Sequence, residues 1–518
     1  MVSIAGKLPL VLNLVRSMPK DGVFPFLYML GVKAPLSMRT KTNHFMRAIE
    51  DGSGSHLPPS IQALLRRLRV YWNDPSAING LEPTLKRLLQ RADRYWDAGK
   101  ADKAAVLIAD ILDCLFYKDY ALADSSPFVV SSAPTEFLRA SRAYNAMTAA
   151  RSRMKPHYPS RPGTLLLAHQ GTNHFFADQR AYLERQGWKV LDFDVAGRSD
   201  VLTELKSREL ARRAAVVARG GSVGLTPQLQ AVVDQADVVW IEWGTALAAY
   251  ITQARLDKPV MIRVHRYEAQ TQWPQFVEAS GCDGLVFVSE WVRRVLLMHR
   301  PGLSGVMQTV IPLGLDARRF DLDKDSEAAH TLGLIGWSLW LKDPDFALDV
   351  LDALRERDER WRLLLVGSPP VGPDAWVQAL MDRVAEYGDA VETLGQRGDV
   401  PQVLRRVGYI LSTSRLESFH QAVVEGIASG AVPVVRDWPE VKGLGGAASI
   451  YPSEWLVDTP VEAAERVLAT PLPFEQGREY LESTLSLERI NAQVARLLLG
   501  KGSGDDGDSE SKEDSCLA

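Results

Sequence analysis

The sequence has little cysteine, little excess charge of either sign and no long apolar segment. Its three cysteines, Cys114, Cys282 and Cys516, form neither a CxxC spacing nor an even framework. This pattern argues against a disulfide scaffold or a zinc site and favours a reducing compartment. A formal net charge of −4 argues against a general nucleic-acid binder. No apolar run approaches the ~18 residues of a membrane span, and the N-terminus lacks a signal-peptide pattern. Together these absences predict a cytoplasmic protein with no nucleic-acid partner.

The composition is that of a soluble globular chain. Its 518 residues exceed one ordinary domain and suggest two to four. A hydrophobic content of 46% is sufficient for large buried cores.

Residues 1–160 are predicted to form a helical region. Between residues 1 and 47, basic side chains greatly outnumber the single acidic one, Asp21. Such a basic, amphipathic start suits peripheral contact with an anionic membrane, and it equally suits a helix packed on its own protein. From Leu85 to Tyr117 the pattern predicts a helical hairpin with ordinary helix packing. It matches only one repeat-like unit, and such repeats need neighbours to bury their faces.

From Pro162 onward, short apolar strands alternate with helices, which predicts parallel sheets with crossover helices. The fold class is therefore α/β, with two doubly wound, Rossmann-like domains that face each other across a cleft. The predicted ranges are 161–316 for the first domain, 317–475 for the second, 476–500 for a terminal helix and 501–518 for a disordered acidic tail.

The most informative stretch is Arg415–Pro433, which follows an apolar strand. Ser418 and Gln421 have the spacing of a capping box, so Ser418 is the predicted N-cap of a helix that Gly430 ends. Backbone N–H groups at the start of such a helix bind anions.

Two carboxylates flank this predicted anion site. Helical spacing would place Glu417 and Glu425 on the order of 10 Å apart along the axis. A nucleotide-sugar fits this arrangement, with the diphosphate between one carboxylate on the sugar and one on the ribose. Glutamates are also common near helix starts because they complement the helix dipole, so spacing alone leaves both interpretations open.

Other polar loops also follow predicted strands. Gly171, His265 and Lys342 each come directly after an apolar run. In doubly wound domains, ligands bind at the carboxyl ends of the strands. These loops are therefore predicted to line the same cleft as Glu417.

Five segments of the chain form an ordered set of motifs: Val310–Asp316, Gly336–Pro344, Leu363–Gly367, Ser414–Glu425 and Ala431–Glu440. Weaker motifs lie at Gly171, His265 and Val288–Arg294. In this order they resemble the group 1, family 4 glycosyltransferases of the GT-B fold, over residues ~163–500. Residues 1–160 carry no part of this resemblance.

The resemblance implies roles for individual residues. Catalytic roles are implied for His265, Lys342 and Glu417. Contact with the donor is implied for Gly171, Lys342, Arg415, Glu417, Ser418, Phe419, His420, Gln421 and Glu425. Thr172, Asn173 and Arg266 are expected on the acceptor side. No metal site and no cofactor are expected, since the nucleotide-sugar is itself a substrate.

Two positions depart from the family pattern. The arginine that usually precedes the phosphate-binding lysine is absent, because Gly336 is followed by Trp337. His420 replaces the glycine that usually follows Glu-x-Phe. Loss of one cation should weaken diphosphate stabilisation. The hypothesis is that Arg415, Arg397 or a protonated His420 compensates.

The resemblance implies transfer of a hexose-like sugar, with retention and without a metal, from a nucleotide diphosphate sugar to a hydroxyl acceptor. The acceptor could be a glycan, a lipid-linked molecule or a protein. The main alternative is a catalytically degenerate GT-B binding or scaffold protein, which the two departures favour. An epimerase or a phosphorylase on the same fold fits the loop order less well.

Overall fold

The computed structural model describes residues 78–116, 133–171, 176–371, 375–472 and 474–501. The predictions for the basic N-terminus, for Thr172 and Asn173 and for the acidic tail beyond residue 501 lie outside these residues. Within them, the chain forms two six-stranded parallel sheets.

The first sheet has the strand order β2-β1-β3-β4-β5-β6. Its strands are β1 (Thr164–His169), β2 (Lys189–Asp194), β3 (Val238–Glu242), β4 (Val260–Val264), β5 (Gly284–Phe287) and β6 (Met307–Val310). The central strands β3, β4 and β5 are buried along their whole length, as parallel strands covered on both faces must be.

The second sheet has the order β12-β11-β10-β7-β8-β9. Its strands are β7 (Thr331–Ile335), β8 (Arg362–Val366), β9 (Val391–Gly395), β10 (Tyr409–Ser412), β11 (Val432–Arg436) and β12 (Leu456–Val457). The predicted architecture of two doubly wound sheets is confirmed. The edge strands β6 and β12 were not predicted, because β6 is half-exposed and polar and β12 has only two residues.

Helices connect the strands and cover the sheets. In chain order they are α1 (Ile78–Asp97), α2 (Ala101–Leu115), α3 (Ala133–Arg139), α4 (Arg142–Thr148), α5 (Ala177–Arg185), α6 (Ser199–Glu204), α7 (Ser207–Ala218), α8 (Pro227–Val233), α9 (Ala246–Gln253), α10 (Arg266–Ala269), α11 (Glu290–His299), α12 (Pro344–Arg355), α13 (Ala375–Glu386), α14 (Val400–Leu404), α15 (Gln421–Ala428), α16 (Pro460–Ala469), α17 (Glu475–Tyr480) and α18 (Leu487–Leu498). Among the described residues, no helix is both long and apolar enough to cross a bilayer.

The predicted N-terminal hairpin is present as α1 and α2, and it packs on α7 of the first sheet's layer. Two carboxylates of α2 bind the start of α7. Asp110 pairs with the Arg208 guanidinium at 2.7 Å, and Asp113 accepts a 2.6 Å hydrogen bond from the Ser207 hydroxyl. Asp113 also accepts from Gln272, which belongs to the loop after α10. The hairpin therefore supports two loops of the first sheet.

The terminal helix α18 returns to the first sheet rather than staying with the second. Its apolar face, with Val494 and Leu498, joins the cluster that contains Leu165 of β1 and Trp240 of β3. The chain therefore crosses between the two sheets twice, once after β6 and once before α18, and this second crossing ties the two halves together.

Candidate active site

The candidate site lies where the carboxyl ends of the two sheets face each other. In the second sheet, β7 and β10 are neighbours, and the order of connections reverses between them. Lys342 follows β7, and Glu417 follows β10. This reversal is the point at which doubly wound sheets open a crevice for ligands.

Lys342 and Glu417 form the central ion pair of the site. The Lys342 ammonium lies 2.5 Å from Glu417 Oε1, which also accepts a 2.9 Å hydrogen bond from the Ser414 hydroxyl. The Thr413 hydroxyl donates to the Lys342 carbonyl at 2.6 Å and fixes the lysine's own loop. Burial alone would raise the pKa of Glu417, but the positive charge of Lys342 holds it down at about 2. Glu417 is therefore ionised at neutral pH.

His420 lies at the start of the helix that was predicted from Arg415–Pro433. Helix α15 begins at Gln421, and His420 is its N-cap residue, without a capping side-chain bond. The prediction that Ser418 caps this helix is therefore wrong, and Glu417 lies in the preceding loop. His420 has φ +58°, in the left-handed region. This conformation explains why a glycine would suit the position.

The His420 ring is buried and neutral. Its Nδ1 lies 2.6 Å from the Ser412 hydroxyl at the end of β10. Burial lowers the pKa of His420 to about 4, against the opposing pull of the Glu417 charge. Without a bound anion His420 is therefore neutral at neutral pH, which argues against the hypothesis that a protonated His420 replaces the missing arginine.

Substitution of His420 tests this backbone conformation. His420→Gly should remain more stable to unfolding than His420→Ala by about 1 kcal/mol, because alanine is strained at positive φ whereas glycine is not. Both variants lose the Ser412 contact, so it cancels in the comparison. Urea denaturation of the two proteins measures the difference, and a more stable alanine variant would contradict the assigned conformation.

The two arginines named in the same hypothesis, Arg415 and Arg397, already have acidic partners. Arg415 contacts Glu440 Oε1 at 3.0 Å, and its guanidinium stacks over the Trp340 ring at 4.5 Å. Arg397 is exposed and pairs with Asp399 at 2.6 Å. Neither guanidinium is therefore free to compensate for the missing arginine in this conformation.

The remaining predicted donor residues lie on or next to α15. Phe419 is buried, and its carbonyl accepts a 2.6 Å hydrogen bond from Tyr451. Ser418 and Gln421 are half-buried. Glu425, one turn further along α15, has its pKa raised by burial, an effect that the charge of Arg319 opposes. Sequence reasoning missed Arg319, although it lies three residues after the motif Val310–Asp316.

On the first sheet, His265 belongs to a buried polar network. Its Nε2 lies 3.2 Å from Glu242 Oε1, and its ring stacks on Trp243 at 4.3 Å. Glu242 also faces the fully buried guanidinium of Arg263 at 3.4 Å. Burial would raise the pKa of Glu242, but the charge of Arg263 and the His265 hydrogen bond lower it. The implied sugar contact of His265 remains a prediction.

The buried network of Glu242, Arg263 and His265 should stabilise the fold. Glu242→Gln leaves Arg263 as a buried cation without a carboxylate, so we expect a loss of about 3 kcal/mol in the free energy of unfolding. Asp399→Asn, which breaks the exposed pair with Arg397, should change it by less than about 1 kcal/mol. Chemical denaturation compares the two. A loss for Glu242→Gln no larger than for Asp399→Asn would contradict the assigned role of the buried pair.

Arg266 and Gly171 occupy strand ends of the first sheet. Arg266 is the first residue of α10, and its guanidinium is close enough to Glu417 of the second sheet for each to shift the pKa of the other. Gly171 has φ +76°, and its N–H donates to Asp194 at 2.8 Å. The charge of Arg266 on the first sheet thus acts on Glu417 of the second, which is paired with Lys342.

A cavity of about 600 Å³ opens on the first sheet and is lined in part by Trp243, on which His265 stacks. Its walls include the aromatic side chains of Trp243, Tyr267 and Trp273, together with Lys206 and Ser207 at the start of α7. In the part of the chain that the structure describes, no three His, Cys, Asp or Glu residues are arranged to hold a metal ion. Metal independence itself stays a prediction.

The part of the chain that forms the second sheet matches a known protein family. Residues 329–469 match the family model described as glycosyl transferases group 1. That range contains Lys342, Glu417 and Glu425, so the predicted resemblance is confirmed there. A search of curated proteins finds no match to the chain.

Several solved structures are similar at low identity. A complex of Anabaena Alr3699/HepE with UDP is 15% identical, with a TM-score of 0.46, and the match covers 65% of this chain and 100% of that one. A glycosyltransferase from Rickettsia africae ESF-5 is 14% identical, with a TM-score of 0.47 and coverages of 66% and 99%. Sucrose-phosphate synthase from Thermosynechococcus elongatus is 16% identical, with a TM-score of 0.45 and coverages of 65% and 98%. Because their TM-scores are below 0.5, these similarities carry no conclusion about what this chain binds.

Proposed function

Because residues 329–469 carry the group 1 glycosyltransferase pattern, we propose that this chain transfers a sugar from a nucleotide diphosphate sugar to a hydroxyl acceptor. The observation that carries the proposal is the Lys342–Glu417 pair, which lies at the switch point of the second sheet beside the start of α15. A cation and free helix N–H groups at one place suit a diphosphate.

The proposed mechanism assigns one task to each group. Lys342 stabilises the charge that develops on the diphosphate as the bond to the sugar breaks. Glu417, ionised and already bonded to Ser414 and Lys342, accepts hydrogen bonds from sugar hydroxyls. Glu425 accepts hydrogen bonds from the ribose. The sugar is a hexose, and its configuration is retained, as the family resemblance implies.

The acceptor is proposed to bind in the cavity of the first sheet. Trp243, Tyr267 and Trp273 offer aromatic faces, which pack well against the apolar faces of sugar rings. A sugar hydroxyl held there would lie on the His265 side of the cleft. A glycan acceptor therefore fits this cavity best.

The proposal is tested with the full chain. Calorimetric titration with UDP, GDP and ADP should show binding of at least one nucleoside diphosphate, and a hydrolysis screen across the corresponding nucleotide-sugars should release it. If no nucleoside diphosphate binds, the chain is a scaffold that has kept only the fold.

A further inference from the structure

We propose that Arg266 is the second cation of the diphosphate site and that it binds the phosphate next to the sugar from the opposite sheet. This inference rests on the proposed function. It gives the diphosphate one cation from each sheet, Lys342 and Arg266, in place of two from the second sheet.

The loop that carries Arg266 is held rigidly. Glu268, fully buried, accepts hydrogen bonds from the Gly244 N–H at 2.8 Å and the His265 N–H at 3.2 Å. These bonds tie the end of β4 to the loop after β3. Arg266 therefore starts from a fixed backbone, which is what a positioned binding group requires.

The side chain of Arg266 is half-buried, and one of its donors is unused. One terminal nitrogen is inaccessible to solvent and has no hydrogen-bond partner among the described residues. Burial lowers the pKa of Arg266, and the nearby charge of Glu417 opposes this shift. No ion pair links the two side chains within the described residues, because Glu417 is bonded to Lys342 and Ser414 instead. A guanidinium nitrogen that is buried without a hydrogen bond is costly unless an anion joins it.

The charge balance of the site points to a phosphate as that anion. Glu417 already neutralises Lys342, so a diphosphate entering the cleft meets little net positive charge without Arg266. Arg415 is engaged by Glu440, and Arg436 by Asp343 at 2.6 Å. Arg266 keeps its planar fork of donors unspent, and this fork matches the geometry of a phosphate. Because Arg266 is within electrostatic reach of Glu417, the proposed sugar-binding carboxylate, that phosphate is assigned to the sugar end of the donor.

The test compares Arg266→Gln with the wild-type chain by calorimetry. The probes are UDP, GDP and ADP and the corresponding monophosphates. For the diphosphate that wild type binds, we expect affinity to fall about 10- to 100-fold, as for loss of charged hydrogen bonds. Affinity for the monophosphate should change less than about threefold. Equal losses for both nucleotides, or none for the diphosphate, would overturn the assignment.

Two controls separate binding from structure. Arg294 also reaches from the first sheet's domain to the second, where it donates to the Leu444 carbonyl at 3.3 Å. Arg294→Gln should therefore bind the diphosphate as wild type does, and a matching loss would assign the effect to domain contact instead. Without ligand, Arg266→Gln should unfold at the same temperature as wild type or higher, since a half-buried charge without an ion-pair partner is removed. A lower unfolding temperature would mark Arg266 as structural. If wild type itself binds no diphosphate, the proposed function fails first.

Discussion

Lys342→Ala is expected to lower turnover about 100- to 1000-fold, because a cation that stabilises the leaving group acts mainly in the transition state. Affinity for the donor should fall by less, since the helix N–H groups of α15 remain. Steady-state kinetics with the donor found in the screen give the two quantities separately. A loss confined to donor affinity would contradict the assigned role.

The control for this variant must account for Glu417. Without Lys342, that half-buried carboxylate loses its close partner, and its pKa should rise from about 2 toward the usual value. Stability should therefore fall in Lys342→Ala and recover when Glu417→Gln is added, while turnover should stay low in both. The matched control is Lys442→Ala, which removes a lysine that pairs with Asp458 on the surface. This variant should leave turnover unchanged.

The placement of Lys342 and Glu417 in one cleft was predictable from their positions in the sequence. Lys342 and Glu417 each follow an apolar run, and parallel strands end at one edge of a sheet, so local patterns place both side chains in one cleft. The family resemblance adds the same two positions independently. Their mutual distance and the Ser414 contact were not predictable, since they depend on how the loops fold.

The prediction of the helix start is wrong because the backbone conformation before the helix, rather than the residue types, determines where it begins. Ser418 and Gln421 satisfy the capping-box spacing, yet the chain turns at His420 with a positive φ and starts the helix later. A pattern of residue types does not reveal that turn. The glycine of the family pattern was the only available signal, because glycine commonly marks a left-handed residue.

The ion-pair partners of charged side chains are harder still to predict, because they lie far away in the sequence. The sequence offers Arg415 and Arg397 as candidate cations, but in the folded chain they pair with Glu440 and Asp399. Arg266 is expected on the acceptor side from the sequence, and only the fold places it within electrostatic reach of Glu417. Whether an arginine is free to bind a ligand is a property of the folded charge network.

Glu425→Ala is expected to weaken donor binding about 10- to 100-fold with little change in turnover, because lost hydrogen bonds to the ribose affect substrate and transition state alike. The α15 carboxylate is half-buried, and burial raises its pKa. As the pH falls from 7 toward that raised pKa, the carboxylate is protonated and loses acceptors. Donor affinity of the wild-type chain should therefore weaken with falling pH.

This pH dependence separates Glu425 from the other carboxylate of the site. The pKa of Glu417 is about 2, so Glu417 stays ionised through the range in which Glu425 titrates. Glu425→Gln should therefore remove the decline in affinity that wild type shows as the pH falls below 7. Arg319→Gln removes the charge that opposes the pKa rise, so the decline should begin at a higher pH. If affinity in Glu425→Gln still falls with pH as in wild type, another group controls donor binding, and the ribose assignment is wrong.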